Sequence, residues 1–329
     1  GINIRYAPQR QQRGTADALR SAHDLVTGQF LLLNGDMILK SSDIAHLCTC
    51  RAPCMSTSTT DHPQDYGVVV VENDLVTTLE EKSKNPKSTM INAGAYLFSP
   101  DIFDYVDRVQ TSSRGELELT DALLQYIREK KLTAYQLSYW IDVGNPWDML
   151  EANLTLMGPL SSSQEGTVED GVSMQGTVIV GKGSIVKSGT YIEGPCIIGR
   201  NCRIGPHVYI RGATSVGDDC HIGHCTELKN SIIMNGTKIP HFNYIGDSVI
   251  GAECNFGAGT KIANLRHDHA NVRVCGKDTR RKKFGAIVGD GVKFGINCYI
   301  NVGSKIGSNA QFAPNSYFSG CIGENAVTR

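Results

Sequence analysis

The chain has 329 residues, which is enough for about two ordinary domains that each bury their own core. Its 32 Lys and Arg residues nearly balance 33 Asp and Glu residues, so the charge indicates neither a nucleic-acid nor a membrane partner. The longest aliphatic runs, such as FLLL at 30–33, are too short to span a bilayer, and the start shows no signal peptide.

The eleven cysteines are odd in number and scattered without paired spacing. This pattern predicts reduced thiols in a cytoplasmic protein rather than a disulfide framework. One cluster, formed by Cys48, Cys50 and Cys54, is a CxC followed by a lone cysteine. It lacks the paired spacing of a zinc site, so we do not interpret it as a metal centre.

The first residues predict a strand, a helix and a second strand in succession. GINIRYAPQ at 1–9 is strand-like, a helix follows with Thr15 as its cap, and FLLLNGD at 30–36 is an apolar strand ending in polar residues. The apolar residues on one face of the helix are Leu19, Ala22, Leu25 and Val26. A βαβ unit of this kind predicts a parallel sheet.

The rest of the first half continues as mixed α/β structure. Residues 67–72 and 93–99 are strand-like, and residues 120–131 and 146–157 have the pattern of amphipathic helices. The polar, glycine-bounded segment GPLSSSQEG at 158–166 is typical of a linker. We therefore predict an α/β Rossmann-like domain over 1–158, a linker over 159–166 and a second domain over 167–329.

An aliphatic residue recurs every six positions through most of the second half. The first series is Val180, Val186, Ile192, Ile198, Ile204, Ile210, Val216, Ile222 and Leu228. The spacing resumes with a shifted phase at Ile233, Ile239 and Ile245, at Ile250, Phe256 and Ile262, and at Val288, Phe294, Ile300, Ile306 and Phe312. A strict hexapeptide repeat predicts a parallel β-helix whose repeating residues face inward, with glycines at its corners.

The repeat is interrupted at two places, where function is to be sought. One interruption holds IPHFNYIGD at 239–247, and the other is the segment 264–284. The cations of the second segment are Arg266, Arg273, Lys277, Arg280, Arg281, Lys282 and Lys283. Such a charged loop is either a solvated flap or a clamp for a phosphorylated ligand, and the sequence leaves both interpretations open.

Residues 180–329 resemble the acetyltransferase domain of the bifunctional N-acetylglucosamine-1-phosphate uridylyltransferase/glucosamine-1-phosphate acetyltransferases and their archaeal relatives. The residues that match the family in type and spacing are Arg211, Lys229, His241, Tyr244, Asn255, Ala258, Asn264 and Lys283. The resemblance implies the left-handed, triangular form of β-helix and a homotrimer. Two departures are a longer basic loop and Ile296, which stands where the family has a serine that contacts the acyl donor.

The resemblance implies a role for each matching residue in acetyl transfer from acetyl-CoA. His241 would be the catalytic base, because a sugar amine near neutral pH must lose a proton before it attacks a thioester. Asn264 would orient the amine and Asn255 the sugar, and the backbone N–H near Ala258 would stabilise the oxyanion. The phosphate would be held by Arg211, Lys229 and Lys283, with Tyr244 beside it. The histidines His221, His224, His267 and His269 lack such neighbours and are interpreted as structural or solvent-facing.

Residues 1–158 resemble the nucleotidylyltransferases that join a nucleoside triphosphate to a sugar 1-phosphate. The matching segments are QQRGTADAL at 11–19, LLLNGD at 31–36, YGVV at 66–69, LEEKSKNPKS at 79–88, INAGAYLF at 91–98 and YWIDVGNPWDMLEAN at 139–153. The resemblance implies that Asp36 and Asp142 bind Mg²⁺. It also implies a nucleotide and sugar site formed by Gln12, Gly14, Thr15, Gly67, Glu81, Lys82 and Asn92.

We expect a bifunctional enzyme of UDP-N-acetylglucosamine biosynthesis, with UTP- or dTTP-dependent nucleotidyl transfer in the first domain and acetyl transfer in the second. The family's glycine-rich loop for the triphosphate has no counterpart in residues 1–329, so we expect no nucleotidyl transfer from this chain as given. One alternative is a sugar-nucleotide pyrophosphorylase whose β-helix only oligomerises or regulates, and another is a trimeric scaffold with both sites vestigial. The nucleobase, and the choice between glucosamine and galactosamine, stay open.

Overall fold

A computed structural model describes residues 3–328 of the chain. The chain divides into two compact units, Gly1–Asp142 and Val143–Arg329. This division precedes the helix at 149–157, whose neighbours include Val249 and Phe284 of the second unit. The boundary predicted at 158 therefore lies C-terminal to the structural division.

The first unit alternates short helices with strands. Its α-helices are α1 (Thr15–Arg20), α2 (Ser41–Thr49), α3 (Ile102–Val106) and α4 (Leu119–Glu129), with short 3₁₀ helices at His23–Leu25 and Pro63–Asp65. Its strands are β1 (Phe30–Leu33), β2 (Met37–Leu39), β3 (Cys54–Thr59), β4 (Gly67–Glu72), β5 (Leu75–Glu81), β6 (Met90–Phe98), β7 (Thr133–Gln136) and β8 (Trp140–Asp142).

Six of these strands form one mixed sheet in the order β1-β6-β3-β7-β5-β4. Only β3 and β7 pair in parallel within it, so the parallel sheet predicted from a βαβ unit is wrong for the described strands. The predicted strand at 1–9 is also wrong over residues 3–9, which pair with no strand. These residues are mostly polar, with Ile4 and Tyr6 as the large apolar exceptions. Gly1 and Ile2 lie outside the described residues. β2 and β8 form a separate antiparallel ribbon that places Met37 opposite Asp142.

Helices α3 and α4 cover one face of this sheet. The amphipathic pattern predicted at 120–131 is confirmed, because Leu123 and Tyr126 of α4 are buried against the sheet while Glu129 and Lys130 are exposed. The predicted strands at 67–72 and 93–99 are confirmed as β4 and the end of β6. The unit thus has its own apolar core, as its length predicts.

The second unit is a left-handed β-helix with three faces of parallel strands. Face 1 contains Thr167–Val168, Ile185–Val186, Arg203–Ile204, His221–Ile222, Lys238–Ile239, Asn255–Phe256, Lys293–Phe294, Gln311–Phe312 and Val327–Thr328. Face 2 contains Ser173–Gln175, Tyr191–Glu193, Tyr209–Arg211, Glu227–Lys229, Tyr244–Gly246, Lys261–Ile262, Tyr299–Ile300 and Tyr317–Phe318. Face 3 contains Ser163–Gln164, Val178–Val180, Cys196–Ile198, Thr214–Val216, Ile232–Ile233, Val249–Ile250, Ala286–Val288, Ser304–Ile306 and Cys321–Ile322.

The hexapeptide residues form a continuous core inside the coils, as predicted. All twenty of them are at least 96% buried, from Val180 at one end to Phe312 at the other. Parallel pairing such as Val180 with Ile198 shows three hexads per coil, while His221 with Lys238 shows one residue fewer where the phase shifts. The segment predicted as a linker already contributes to the first coil, because Gln164 pairs with Val180.

The basic loop 264–284 and helix α5 (Met149–Met157), which follows a 3₁₀ turn at Pro146–Asp148, pack together in the second unit. Trp147 and Phe284 meet edge to face with ring centroids 6.2 Å apart. Lys277, in the loop's hairpin of Arg273–Val274 and Lys277–Asp278, donates to Asn145, and Arg281 pairs with Glu151 at 3.2 Å. The charged loop is therefore anchored to α5 and the coils through Val272, Val274 and Phe284, while most of its other residues are exposed.

A disulfide joins the hairpin to the last coils of the β-helix. Cys275 and Cys321 form it across 46 residues, so the prediction of reduced thiols only is wrong for this pair. Residues so far apart in sequence carry no spacing signal, because the fold alone brings them together. The other nine cysteines are free, as predicted.

Candidate active sites

Four of the predicted acetyl-transfer residues lie on face 2 of the β-helix. Parallel pairing places Arg211 directly below Lys229 and Lys229 directly below Gly246, so their side chains follow one column. Tyr244 stands in the neighbouring outward column above Glu227, and Asn264 follows the next strand of the same face. The structure therefore brings Arg211, Lys229, Tyr244 and Asn264 together.

Both cations of this column are held by carboxylates. Arg211 Nε donates to Glu227 Oε1 at 2.8 Å, and this hydrogen bond raises the pKa of Arg211. Lys229 Nζ lies 3.0 and 2.7 Å from the two carboxylate oxygens of Asp247. The Asp247 side chain is only 5% exposed, and it also accepts a hydrogen bond from Asn264 Nδ2. Burial raises the pKa of the Tyr244 hydroxyl, which lies in the same group of side chains.

His241 lies at the corner that joins face 1 to face 2. The left-handed conformation of Phe242, with φ of 52°, turns the chain there, and the His241 side chain is exposed to solvent. The corner of the next coil, which contains Ala258, stacks on it through a hydrogen bond from Gly259 N–H to the His241 carbonyl at 3.0 Å. The imidazole is therefore not sealed inside the coil and is available to an external ligand.

Two predicted residues stand apart from the face 2 group. Asn255 is exposed on face 1, between Lys238 and Lys293 in the outward column. Lys283 is exposed in the basic loop, where its bridge with Leu265 places it near Asn264 in space. Within one chain, the predicted set thus occupies two adjacent faces, the corner between them and the base of the loop.

Sequence reasoning missed the two carboxylates that organise this site, Glu227 and Asp247. Asp247 ends the interrupting segment IPHFNYIGD at 239–247, and Glu227 lies in TELKNS at 226–231, where the phase of the repeat begins to shift. This irregularity was the available signal. A charged side chain in such a segment is usually solvated. Only the register of the coils shows that each carboxylate faces a cation one coil away.

In the first unit, five of the seven predicted nucleotide and sugar residues line one cavity of about 340 Å³. These residues are Thr15, Gly67, Glu81, Lys82 and Asn92. Gln12 is exposed and is not among the lining residues. Gly14 packs against the backbone of Leu117, where a Cβ atom would lie 2.4 Å from the carbonyl oxygen, so its role in the structure is to allow this close approach.

The cavity also contains charged residues that the sequence did not single out, Arg114 and Glu118. Arg114 forms an ion pair with Glu118 and lies 3.6 Å from Glu81. Burial raises the pKa of Glu81, whereas the hydrogen bonds from Arg114 and Ser112 lower the pKa of Glu118 against the effect of its own burial. The cavity therefore holds one guanidinium between two carboxylates of different proton affinity.

Asp36 and Asp142 lie at the same end of the β2–β8 ribbon. Met37 is opposite Asp142, so Asp36 is one residue away from that pair, and Asp142 also accepts a hydrogen bond from the Tyr66 hydroxyl at 3.0 Å. Within residues 3–328, no three His, Cys, Asp or Glu side chains gather as a metal-binding group. Two carboxylates nevertheless suit Mg²⁺, which takes its other ligands from water and phosphate.

The fold and the two sites define a transferase that combines an α/β nucleotidyltransferase domain with a left-handed β-helix. Residues 1–157 match the nucleotidyl transferase family model, and residues 192–322 match the GMPPB C-terminal domain model. No helix within the described residues is long and apolar enough to cross a membrane.

Three relatives identify the family. The bifunctional protein GlmU of Methanocaldococcus jannaschii is 43% identical over 312 residues, which cover 93% of this chain and 76% of that protein. GlmU of Methanococcus maripaludis strain C7 is 46% identical over 98% of this chain and 80% of its own length. The bifunctional sugar-1-phosphate nucleotidylyltransferase/acetyltransferase of Sulfurisphaera tokodaii is 40% identical over 94% of this chain and 79% of its own. The chain belongs to this family of bifunctional transferases, and the predicted resemblance is confirmed.

Proposed function

We propose that the β-helix transfers the acetyl group of acetyl-CoA to the amine of glucosamine 1-phosphate or galactosamine 1-phosphate. The observation that carries this proposal is an exposed imidazole, His241, at the corner of the face that holds Arg211, Lys229 and Asn264. A β-helix that served only for assembly would have no need of this combination. The product is the acetylated sugar phosphate from which a UDP-sugar such as UDP-N-acetylglucosamine is made.

Neutral His241 takes a proton from the substrate ammonium group, and the freed amine attacks the thioester carbonyl. The negative charge that develops on the carbonyl oxygen is met by the backbone N–H near Ala258. When the C–S bond breaks, the imidazolium gives its proton to the departing thiolate and the second proton of the attacking nitrogen passes to solvent, so the neutral amide forms and the base is regenerated. Asn264 orients the amine and Asn255 the sugar, while the phosphate is bound by Arg211, Lys229 and Lys283 beside Tyr244.

The assay is release of free thiol from acetyl-CoA in the presence of glucosamine 1-phosphate. We expect His241→Ala to lower kcat by about 100-fold or more, because general acid–base catalysis typically contributes this much. The matched control is His267→Ala, which alters an exposed histidine of the basic loop and is expected to leave turnover within about twofold. Equal thiol release by the His241→Ala protein and the unchanged protein would disprove the mechanism.

We propose that the first unit transfers a nucleotidyl group from UTP or dTTP to a sugar 1-phosphate, with Asp36 and Asp142 as ligands of Mg²⁺. The ion would neutralise phosphate charge as the sugar phosphate attacks. The sugar nucleotide would be surrounded by Thr15, Gly67, Glu81, Lys82 and Asn92. Gln12 and Gly14 would lie near the entrance of the cavity. Formation of a nucleotide sugar from UTP or dTTP and a sugar 1-phosphate is the assay for this activity.

Mn²⁺ binding, followed by water-proton relaxation, tests the metal site without any turnover. Asp36→Asn and Asp142→Asn should each weaken Mn²⁺ binding by about tenfold or more, because each removes one anionic ligand. The control is Asp61→Asn, an exposed aspartate outside the ribbon. Unchanged Mn²⁺ affinity in both ribbon variants would rule out this metal site.

We further propose that the protein is cytoplasmic, since nine of the eleven cysteines are free. We also propose that it is a homotrimer, since the flat faces of the β-helix suit side-by-side packing. Sedimentation should give three times the mass of the 329-residue chain; a monomer would contradict this assembly.

The alternative is a nucleotidylyltransferase whose β-helix only assembles or regulates the protein. The match of residues 192–322 to the GMPPB C-terminal domain is the observation that favours it. Thiol release separates the two functions, because this alternative predicts none that depends on His241.

A further inference from the structure

A buried carboxylate that has no assigned role lies at the centre of the acetyl-transfer site. Asp247 receives donors from three side chains: both of its oxygens accept from Lys229 Nζ, Oδ1 accepts from Asn230 Nδ2 at 2.8 Å, and Oδ2 accepts from Asn264 Nδ2. Its backbone is fixed as well. The Asp247 N–H donates to the Lys229 carbonyl at 2.8 Å, and the Asp247 carbonyl accepts from Gly285 N–H at 2.9 Å. Hydrogen bonds with a charged partner are roughly twice as strong as neutral ones.

This arrangement determines which end of the Asn264 amide faces the substrate. An ionised carboxylate only accepts hydrogen bonds, so Asn264 must turn its NH₂ group toward Asp247. The Tyr244 hydroxyl lies beside the same NH₂ group, because a Cβ atom at Gly246 would lie 2.6 Å from Tyr244 Oη and 2.7 Å from Asn264 Nδ2. Because the NH₂ group faces Asp247, the amide oxygen is left as an acceptor for an N–H of an incoming amine.

The Asp247 carboxylate also reduces the positive charge that Lys229 can offer to a phosphate group. A lysine ammonium with 18% of its side chain exposed and two carboxylate contacts has most of its charge neutralised before any phosphate arrives. Asp247 therefore balances the charge of the column and keeps this ammonium next to the amide of Asn264.

We propose that Asp247 is the positioning residue of the acetyl-transfer site, fixing the Asn264 amide with its oxygen toward the substrate amine while restraining Lys229. This inference rests on the proposed acetyl transfer. Asp247 acts through its neighbours and contacts no reacting atom.

The test is Asp247→Asn, with kcat and KM for glucosamine 1-phosphate measured separately by thiol release. Asparagine is tolerated in the left-handed conformation of this residue, whose φ is 49°, so the corner should fold. One amide oxygen cannot accept from three donors, so we expect the Asn264 amide to lose its fixed orientation and kcat to fall by about 10- to 100-fold. KM should stay the same or fall, because the released Lys229 binds phosphate better; general damage to the site would raise KM.

A double-mutant cycle provides the second measurement. In an Asn264→Ala background, Asp247→Asn should lower kcat by less than about threefold, because the group it positions is already gone. The control is Asp219→Asn, another aspartate at a left-handed corner, with φ of 59° and a side-chain bond to Asn201; its turnover should stay within about twofold. Additive losses, a raised KM or unchanged kcat in Asp247→Asn would overturn the positioning role alone, whereas an inactive unchanged protein would refute the proposed function itself.

Discussion

Gly246 shows how closely the candidate site is packed at the level of single atoms. A Cβ atom at this residue would lie 2.6 Å from Tyr244 Oη and 2.7 Å from Asn264 Nδ2, both of them ends of side chains in the site. The absence of a side chain at 246 therefore leaves the room in which Tyr244 and Asn264 meet.

We predict that Gly246→Ala lowers kcat/KM for acetyl transfer by about tenfold or more, because the new methyl group displaces Asn264. Thermal unfolding should shift only slightly, since the displaced atoms belong to side chains. The control is Gly323→Ala, where a Cβ atom would meet nothing within 4 Å. A Gly246→Ala protein with normal kcat/KM would show that this contact has no catalytic importance.

Burial of Glu81 in the cavity destabilises the folded first unit when the Glu81 carboxyl group is ionised. Burial raises the pKa of its carboxyl group, so the folded state holds this proton to higher pH than the unfolded chain does. Stability is therefore lost as pH rises from the unfolded pKa through the folded pKa. At pH values below the unfolded pKa, the Glu81 carboxyl group is protonated in both the folded and the unfolded state, and this destabilisation disappears.

We predict that Glu81→Gln raises the melting temperature at neutral pH and that this gain shrinks to nothing near about pH 4, where an ordinary Glu is protonated. Scanning calorimetry across this range measures the difference from the unchanged protein. The control is Glu80→Gln, which makes the same change at the exposed neighbour in β5. A pH-independent effect of Glu81→Gln would contradict the raised pKa.

At the scale of elements, the coils of the β-helix are stabilised by one inward residue per strand. Ile222 is completely buried in face 1, whereas Ile185 of the same face points outward and is 37% exposed. We predict that Ile222→Ala lowers the free energy of unfolding by about 2–5 kcal/mol, because it leaves a cavity that stacked coils cannot close. Ile185→Ala should cost about 1 kcal/mol or less.

Urea unfolding of both variants compares these costs on the same protein. The comparison is matched because the two residues are the same type in equivalent strands and differ only in the side of the sheet that they face. Similar losses in the two variants would mean that burial does not decide stability in these coils.

The elements also show how far the sequence determines the fold. The coils were predictable because each hexad repeats a local pattern, and neighbouring coils are only about 18 residues apart. The sheet of the first unit was not, because β3 pairs with β7 about 80 residues later and no local pattern records this. In the site, the family resemblance pointed to donors such as Lys229 and Asn264, whereas Asp247 was recognisable only once the register placed it beside Lys229.

At the scale of the whole molecule, each unit has its own apolar core and its own candidate site. The core of the β-helix runs from Val178 to Phe312, and that of the first unit is formed by separate residues such as Phe98 and Leu123. All residues proposed for acetyl transfer belong to the second unit, and both proposed Mg²⁺ ligands belong to the first.

We therefore predict that the two sites fail independently. His241→Ala should lower thiol release by about 100-fold or more and leave Mn²⁺ affinity within about twofold. Asp36→Asn should weaken Mn²⁺ binding and leave thiol release within about twofold, because substitutions that are distant and share no partner act additively. The double variant should show both losses without a further effect. If Asp36→Asn also reduced thiol release several-fold in a fully folded protein, the units would be coupled, and the two activities could not be assigned to separate sites.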